Sequence, residues 1–225
     1  MEETTPRLNA RAIAIVSQWS HPLNAKDLRY RQFQNRVYVH SYAEYTHYWA
    51  GGPHRFALIR QRSLGKPVQQ LILRCPKEYV RPYKALKSDA TSELLVEPDE
   101  GVMEHWVHKT NGLSTALAYD WDDRVDTEGE WLDPVPFIRR LREPKLLCAD
   151  QKAAFQWEYL TQIADTGDEL VGYKILDSPH KAIRITGDYE AGYIIDWGDL
   201  STAFAILAPL KPTGTTAGAD WARRF

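Results

Sequence analysis

Cysteine and methionine are scarce in this chain of 225 residues, with two of each. Cys75 and Cys148 sit far apart in apolar surroundings, which predicts two reduced, buried thiols rather than a disulfide framework. Long apolar runs are missing too. No stretch reaches the roughly 18 apolar residues of a membrane-spanning helix, so none is predicted. The opening Met1-Glu2-Glu3-Thr4-Thr5-Pro6 is acidic and polar, the wrong chemistry for a secretory signal, and a cytoplasmic protein is expected. Neither Gly-x-x-x-x-Gly-Lys-Ser/Thr nor Gly-x-Gly-x-x-Gly occurs, which removes P-loop and Rossmann readings. The nucleophile elbow Gly-x-Ser-x-Gly is absent as well. With no internal repeat, low-complexity block or long linker, one domain is predicted over 1–208. A tail over 209–225, rich in Thr, Gly and Pro, is expected to be partly ordered.

Aromatic rings and a divided charge are what the chain has in quantity. Eight Trp and twelve Tyr are many for this length, and several stand beside Arg or His. Such rings serve core and interface packing, or stack on bases, a nicotinamide or sugars. Residues 1–95 carry 15 Lys and Arg against 7 Asp and Glu, whereas 96–225 carry 13 against 23. The overall net charge of −2 hides that split. The stretch 26–36, continued by Arg55, Arg60, Arg62 and Lys66, interleaves cations with Tyr and Phe. That pattern suits a surface that tracks phosphates and stacks bases, so nucleic acid or an acidic protein is the expected partner.

Local patterns predict an α+β class, a single domain of mainly antiparallel sheet with a few short helices. The apolar run 11–19 reads as helix or strand. Residues 28–33 and 36–40 read as extended. Ser41 with Glu44 three residues on forms a capping box, which predicts a helix over 42–50 closed by Gly51-Gly52-Pro53. Residues 54–62 and 68–75 flank a turn at 63–67 as a hairpin. A short or broken helix is predicted over 76–88, strands at 93–97 and 113–119, an amphipathic piece at 101–109 and a helix near 134–142. The runs 170–176, 182–186, 191–197 and 203–207 read as strands.

Histidines give little reason to expect a metal. His40, His47 and His54 recur every seven residues, but Gly51-Gly52-Pro53 interrupts any common helical face. His105 and His108 supply two ligands at most. The acidic run 120–126 lacks the glycine and terminal glutamate of a calcium loop and reads as solvated.

The segment Phe155-Gln-Trp-Glu-Tyr-Leu-Thr-Gln-Ile163 alternates cleanly, which predicts a strand with Gln156 and Glu158 on one face. A helical turn over 150–154 is expected before it. Gln156-Trp157-Glu158 on a strand resembles the Gln/Glu-x-Glu element of the ADP-ribosyltransferase-like superfamily. Together with the later Tyr193-Ile-Ile-Asp-Trp-Gly-Asp-Leu-Ser201 it also resembles an uncharacterised bacterial family, in which an Arg stands where Leu160 stands here. The resemblance implies NAD as substrate and assigns roles. Arg29 or Arg31 would clamp the pyrophosphate, and Ser41 would hold a strand beside the nicotinamide. Glu158 would stabilise oxocarbenium character, Gln156 would orient the acceptor, and Tyr42, Tyr45 or Trp49 would stack on the ring. Where the superfamily has Ser-Thr-Ser, this chain has Val39-His40-Ser41. Read without it, Arg29 and Arg31 are surface charges, Ser41 is a helix cap and Glu158 lies on an exposed strand face. The resulting expectation is an NAD-consuming enzyme acting on nucleic acid or protein in bacterial or phage conflict. The alternative is a non-catalytic nucleic-acid- or protein-binding module of phage or bacterial origin, a virion structural protein included.

Overall fold

A computed structural model describes residues 6–20, 34–52, 54–75, 91–97, 102–108, 114–117, 130–140, 155, 157–176, 183–188 and 192–208. Strand β1, Pro6–Asn9, turns directly into helix α1, Ala10–Ser17. Asn9 makes that turn possible. Its side-chain oxygen accepts the N–H groups of Arg11 (2.9 Å) and Ala12 (3.1 Å), filling two donors that the first helical turn leaves open. The capped run becomes a helix, and all eight of its residues are buried.

Three strands follow as a meander: β2 (Arg36–Tyr42), β3 (Tyr45–Gly51) and β4 (Arg55–Arg62). After β5 (Leu64–Gly65) and β6 (Leu71–Arg74) come β7 (Thr91–Glu97), β8 (Val102–His108) and β9 (Ser114–Leu117). Helices α2 (Val135–Arg140) and α3 (Trp157–Gly172) precede β10 (Arg184–Asp188), β11 (Gly192–Asp196) and β12 (Ala203–Leu207). Among the described residues, seven strands form one sheet in the order β10-β11-β12-β4-β3-β2-β6, and five form another, β5-β1-β7-β8-β9. Every pairing among them is antiparallel. The predicted α+β class, mainly antiparallel with few helices, is the class observed.

The seven-stranded sheet is built twice from one plan. A helix is followed by a three-strand meander, first α1 with β2-β3-β4, then α3 with β10-β11-β12. The last strands of the two units pair antiparallel, with Ala57 opposite Ala205, so the halves meet about a local twofold axis. No sequence repeat accompanies this structural one. Both helices lie on one face, above Val39, Tyr48, Ala50, Ala57, Ala203 and Ala205. The alanines leave room for helix backbone to approach the sheet. On the other face Tyr38, Trp49, Phe56, Leu58, Phe204 and Ile206 pack against Trp131, Leu132, Phe137 and Ile138. The central strands β2, β3, β4 and β12 are therefore apolar on both sides.

Several predicted elements take another form. Residues 42–50 are not helical: Ala43 and Glu44 form the turn between β2 and β3, with Tyr42 opposite Tyr45 and Ala43 at φ 54°. The alternating rings of 38–42 and 45–49 suit a half-buried strand pair, and cross-strand packing outweighs the capping signal. Residues 63–67 do not join a hairpin. Both edges of β4 are already filled by β3 and β12, so β6 passes on to pair with β2. The segment 157–163, predicted as strand, begins α3. Over the longer window Tyr159, Ile163, Thr166 and Leu170 recur at helical spacing, and the last three are buried. Residues 170–176, also predicted as strand, end that helix in a Schellman turn. Lys174 adopts φ 56°, its N–H donates to Val171, and the Ile175 N–H donates to Leu170. Strand predictions at 36–40, 54–62, 93–97, 113–119, 182–186, 191–197 and 203–207 and the helix near 134–142 agree with the structure within a few residues; 101–109 is strand β8. The predicted elements at 28–33, 76–88 and 150–154, the acidic loop 120–126 and the tail 209–225 lie outside the described residues.

Candidate functional site

A cleft of about 660 Å³ opens where the segment 131–139 crosses the sheet face opposite α1 and α3. Its floor comes from neighbouring strands in register. His40 lies opposite His47, and Tyr38 opposite Trp49, which in turn faces Leu58. Tyr42 and Gln70 form the rim, and Trp131, Asp133 and Arg139 form the far wall. The alternation of strands supplies this set: 38, 40 and 42 on β2 share a face with 45, 47 and 49 on β3.

Trp131 holds the segment in place. Its ring meets Trp49 edge-on at 4.9 Å, Tyr38 at 5.7 Å and His40 at 6.4 Å. The Trp49 indole N–H donates to the Leu132 carbonyl at 2.9 Å. Farther along, Phe137 stacks on Phe56 with centroids 4.1 Å apart and planes 3° from parallel. Asp133 accepts the Val135 N–H at 2.9 Å, starting α2.

The two imidazoles are chemically distinct. His40 Nδ1 accepts the backbone N–H of Gln70 at 3.3 Å, so its neutral ring carries the proton on Nε2. Burial, and next the Arg60 guanidinium, hold His47 below the ordinary imidazole value, against a hydrogen bond with the His40 backbone that raises it. Arg60 itself lies 3.9 Å from the centre of the Tyr45 ring. Among the described residues no serine, cysteine or lysine lines the cleft, and Asp133 is its one carboxylate. The described lining thus offers donors, acceptors and aromatic walls that can hold a ligand. Among the described residues no cluster of three metal-ligating side chains occurs.

The residues singled out in the sequence are dispersed. Tyr42, Tyr45 and Trp49 share the cleft face, and Tyr42 and Trp49 line the cleft. Ser41 points the other way. Its hydroxyl accepts the Val68 N–H at 3.0 Å and lies 2.9 Å from Thr46 Oγ1, in a buried chain that reaches Ser63. It caps no helix. Glu158 is exposed in the first turn of α3, beside Tyr159, whose ring Arg55 approaches at 5.7 Å. Ser41 sits by Thr46, opposite Gln61 at the far end of β4 from Arg55. Six strand residues separate those ends by about 20 Å, too far to share one substrate bond. Arg29, Arg31 and Gln156 lie outside the described residues. Of the cleft residues, His40 and His47 had a legible signal in the alternation Tyr38-His40-Tyr42 and Tyr45-His47-Trp49. Gln70, Trp131, Asp133 and Arg139 had none, because only tertiary packing brings them there.

Cys75 is buried, and no helix among the described residues is long and apolar enough to cross a membrane. No protein-family model matches the sequence, and no curated protein matches it. Solved structures do match the fold. A Thermotoga maritima DNA polymerase III beta subunit superposes with a TM-score of 0.55 at 12% identity, covering 93% of this chain and 66% of that one. A Pseudomonas aeruginosa DNA polymerase sliding clamp gives 0.56 at 12%, covering 92% and 67%. A Borrelia burgdorferi DNA polymerase III subunit beta gives 0.55 at 10%, covering 92% and 62%. This chain thus spans about two thirds of the length of the clamps it matches. These neighbours overturn the expected ADP-ribosyltransferase-like family and the NAD-consuming activity read from it. Of the Gln-x-Glu motif that suggested both, Trp157 and Glu158 begin a helix rather than a strand, and NAD as a cofactor rested on that resemblance alone. What the chain shares with these proteins, at 10–12% identity, is the sliding-clamp fold.

Proposed function

We propose that the chain is a non-catalytic clamp-like protein that holds DNA. The observation that carries this reading is the doubled helix-and-meander plan, matched over 92–93% of the chain by DNA polymerase sliding clamps. Charge adds a direction. The outer side of α3 exposes Glu158, Asp165 and Asp168, and 157–172 contains no Lys or Arg. Phosphates are repelled there, so contact with them falls to the basic first half, where Arg62 and Lys66 are exposed. Encirclement takes a closed ring, and a chain of this length supplies an arc, so the reading includes self-assembly.

The test is retention on nicked circular DNA against the same DNA linearised, at low salt, with the assembly mass read by light scattering. A clamp stays on the circle and is lost on cutting. Equal retention on both forms, or on neither, rejects the proposal.

A further inference from the structure

We infer that the cleft under Trp131 binds a nucleotide, its base against the aromatic wall and its phosphate at Arg139. This goes beyond the clamp reading and stands without it. At about 660 Å³ the cleft falls within the roughly 300–1,000 Å³ of small-molecule sites. Two kinds of surface meet in it. Trp131 and the exposed Tyr42 supply aromatic area, the partner of a flat heteroaromatic ring. Around them stand groups of both hydrogen-bonding senses. The ring proton of His40 lies on Nε2, because Nδ1 is occupied by the Gln70 N–H. Asp133 keeps one carboxylate oxygen beyond the one bound to Val135, and Gln70 offers an amide. A purely apolar ligand would leave these groups unmatched, whereas a nucleobase edge carries both donors and acceptors. Arg139, exposed on α2, is the one fixed cation among the described residues lining the cleft and the group that fits a phosphate. The same chemistry is presented by a free mononucleotide and by the terminal nucleotide of a strand.

Calorimetric titration of the full chain with AMP tests the assignment. Saturable binding is expected, weaker with adenosine, which lacks the phosphate. Arg139→Glu is expected to weaken AMP binding by about tenfold or more, and Tyr42→Ala severalfold. Both side chains are exposed, so circular dichroism should confirm unchanged folding in each variant. Competition by a 5′-phosphorylated single strand, but not by its dephosphorylated form, assigns the site to strand ends. AMP binding without such competition assigns it to the free nucleotide. Either result supports the site. No saturable heat with AMP at about 1 mM, or unchanged affinity in both variants, overturns it.

Discussion

Trp49 donates its indole N–H to the main-chain carbonyl of Leu132, 2.9 Å away, and so pins the segment 131–139 to the centre of the sheet. Trp49 is 1% exposed, so removing that donor leaves a carbonyl without its partner against an apolar wall. Trp49→Phe should cost about 2 kcal/mol, combining the lost bond with lost ring volume. Urea denaturation gives the magnitude. Limited proteolysis should show faster cutting within 131–139, and unchanged cutting would mean that the packing of Trp131 and Phe137 suffices to hold the segment.

His47 should make stability depend on pH. Its folded pKa lies below the unfolded value of about 6.5, mainly through burial and then through Arg60. The unfolded chain therefore binds more protons, and this contribution is complete above pH 6.5 and lost as pH falls through the folded pKa. Urea midpoints at pH 7.5 and 5.5 should differ in wild type. The difference should shrink in His47→Gln, and an equal slope in that variant would place the dependence elsewhere.

Asn9→Ala should destabilise the protein by about 1 kcal/mol, because the α1 cap loses both backbone bonds. The same side chain donates to Gln61 at 2.5 Å, so Asn9→Asp keeps the cap while losing that donor. Thermal melts of the two variants separate the contributions. Equal losses in both would assign the effect to Gln61 rather than to the helix.

Lys174→Gly should stabilise by about 0.5 kcal/mol. Lys174 holds the left-handed position of the Schellman turn, where a Cβ is strained, and glycine relieves that strain at some entropic cost in the unfolded chain. A raised melting temperature checks it. A lowered one would show that the Lys174 side chain has a role outweighing the backbone term.

Strands flanked by clear turns were legible in the sequence, as at 36–40, 191–197 and 203–207, because alternation needs few residues to declare itself. Failures came where a short window satisfied two periods. Phe155 to Tyr159 alternates over five residues, yet Ile163, Thr166 and Leu170 set the helical phase only beyond them. Ser41 and Glu44 satisfy a capping pattern, but Thr46 on β3 and Val68 in the segment before β6 give Ser41 better partners. The cleft was half legible. Rings on β2 and β3 follow from alternation, while Trp131 and Arg139 reach it through a chain path that no local pattern encodes.

The pairing of β4 with β12 has a consequence for how the protein is made. Residues 203–207 are synthesised on the order of 150 residues after Ala57, a delay of about 7–30 s at ordinary ribosomal rates. Throughout that interval the second edge of β4, apolar at Phe56, Leu58 and Ile59, lacks its native neighbour. An open edge of that composition recruits other nascent chains. Expression conditions that slow elongation should therefore lower the yield of native protein, with the loss appearing in the insoluble fraction.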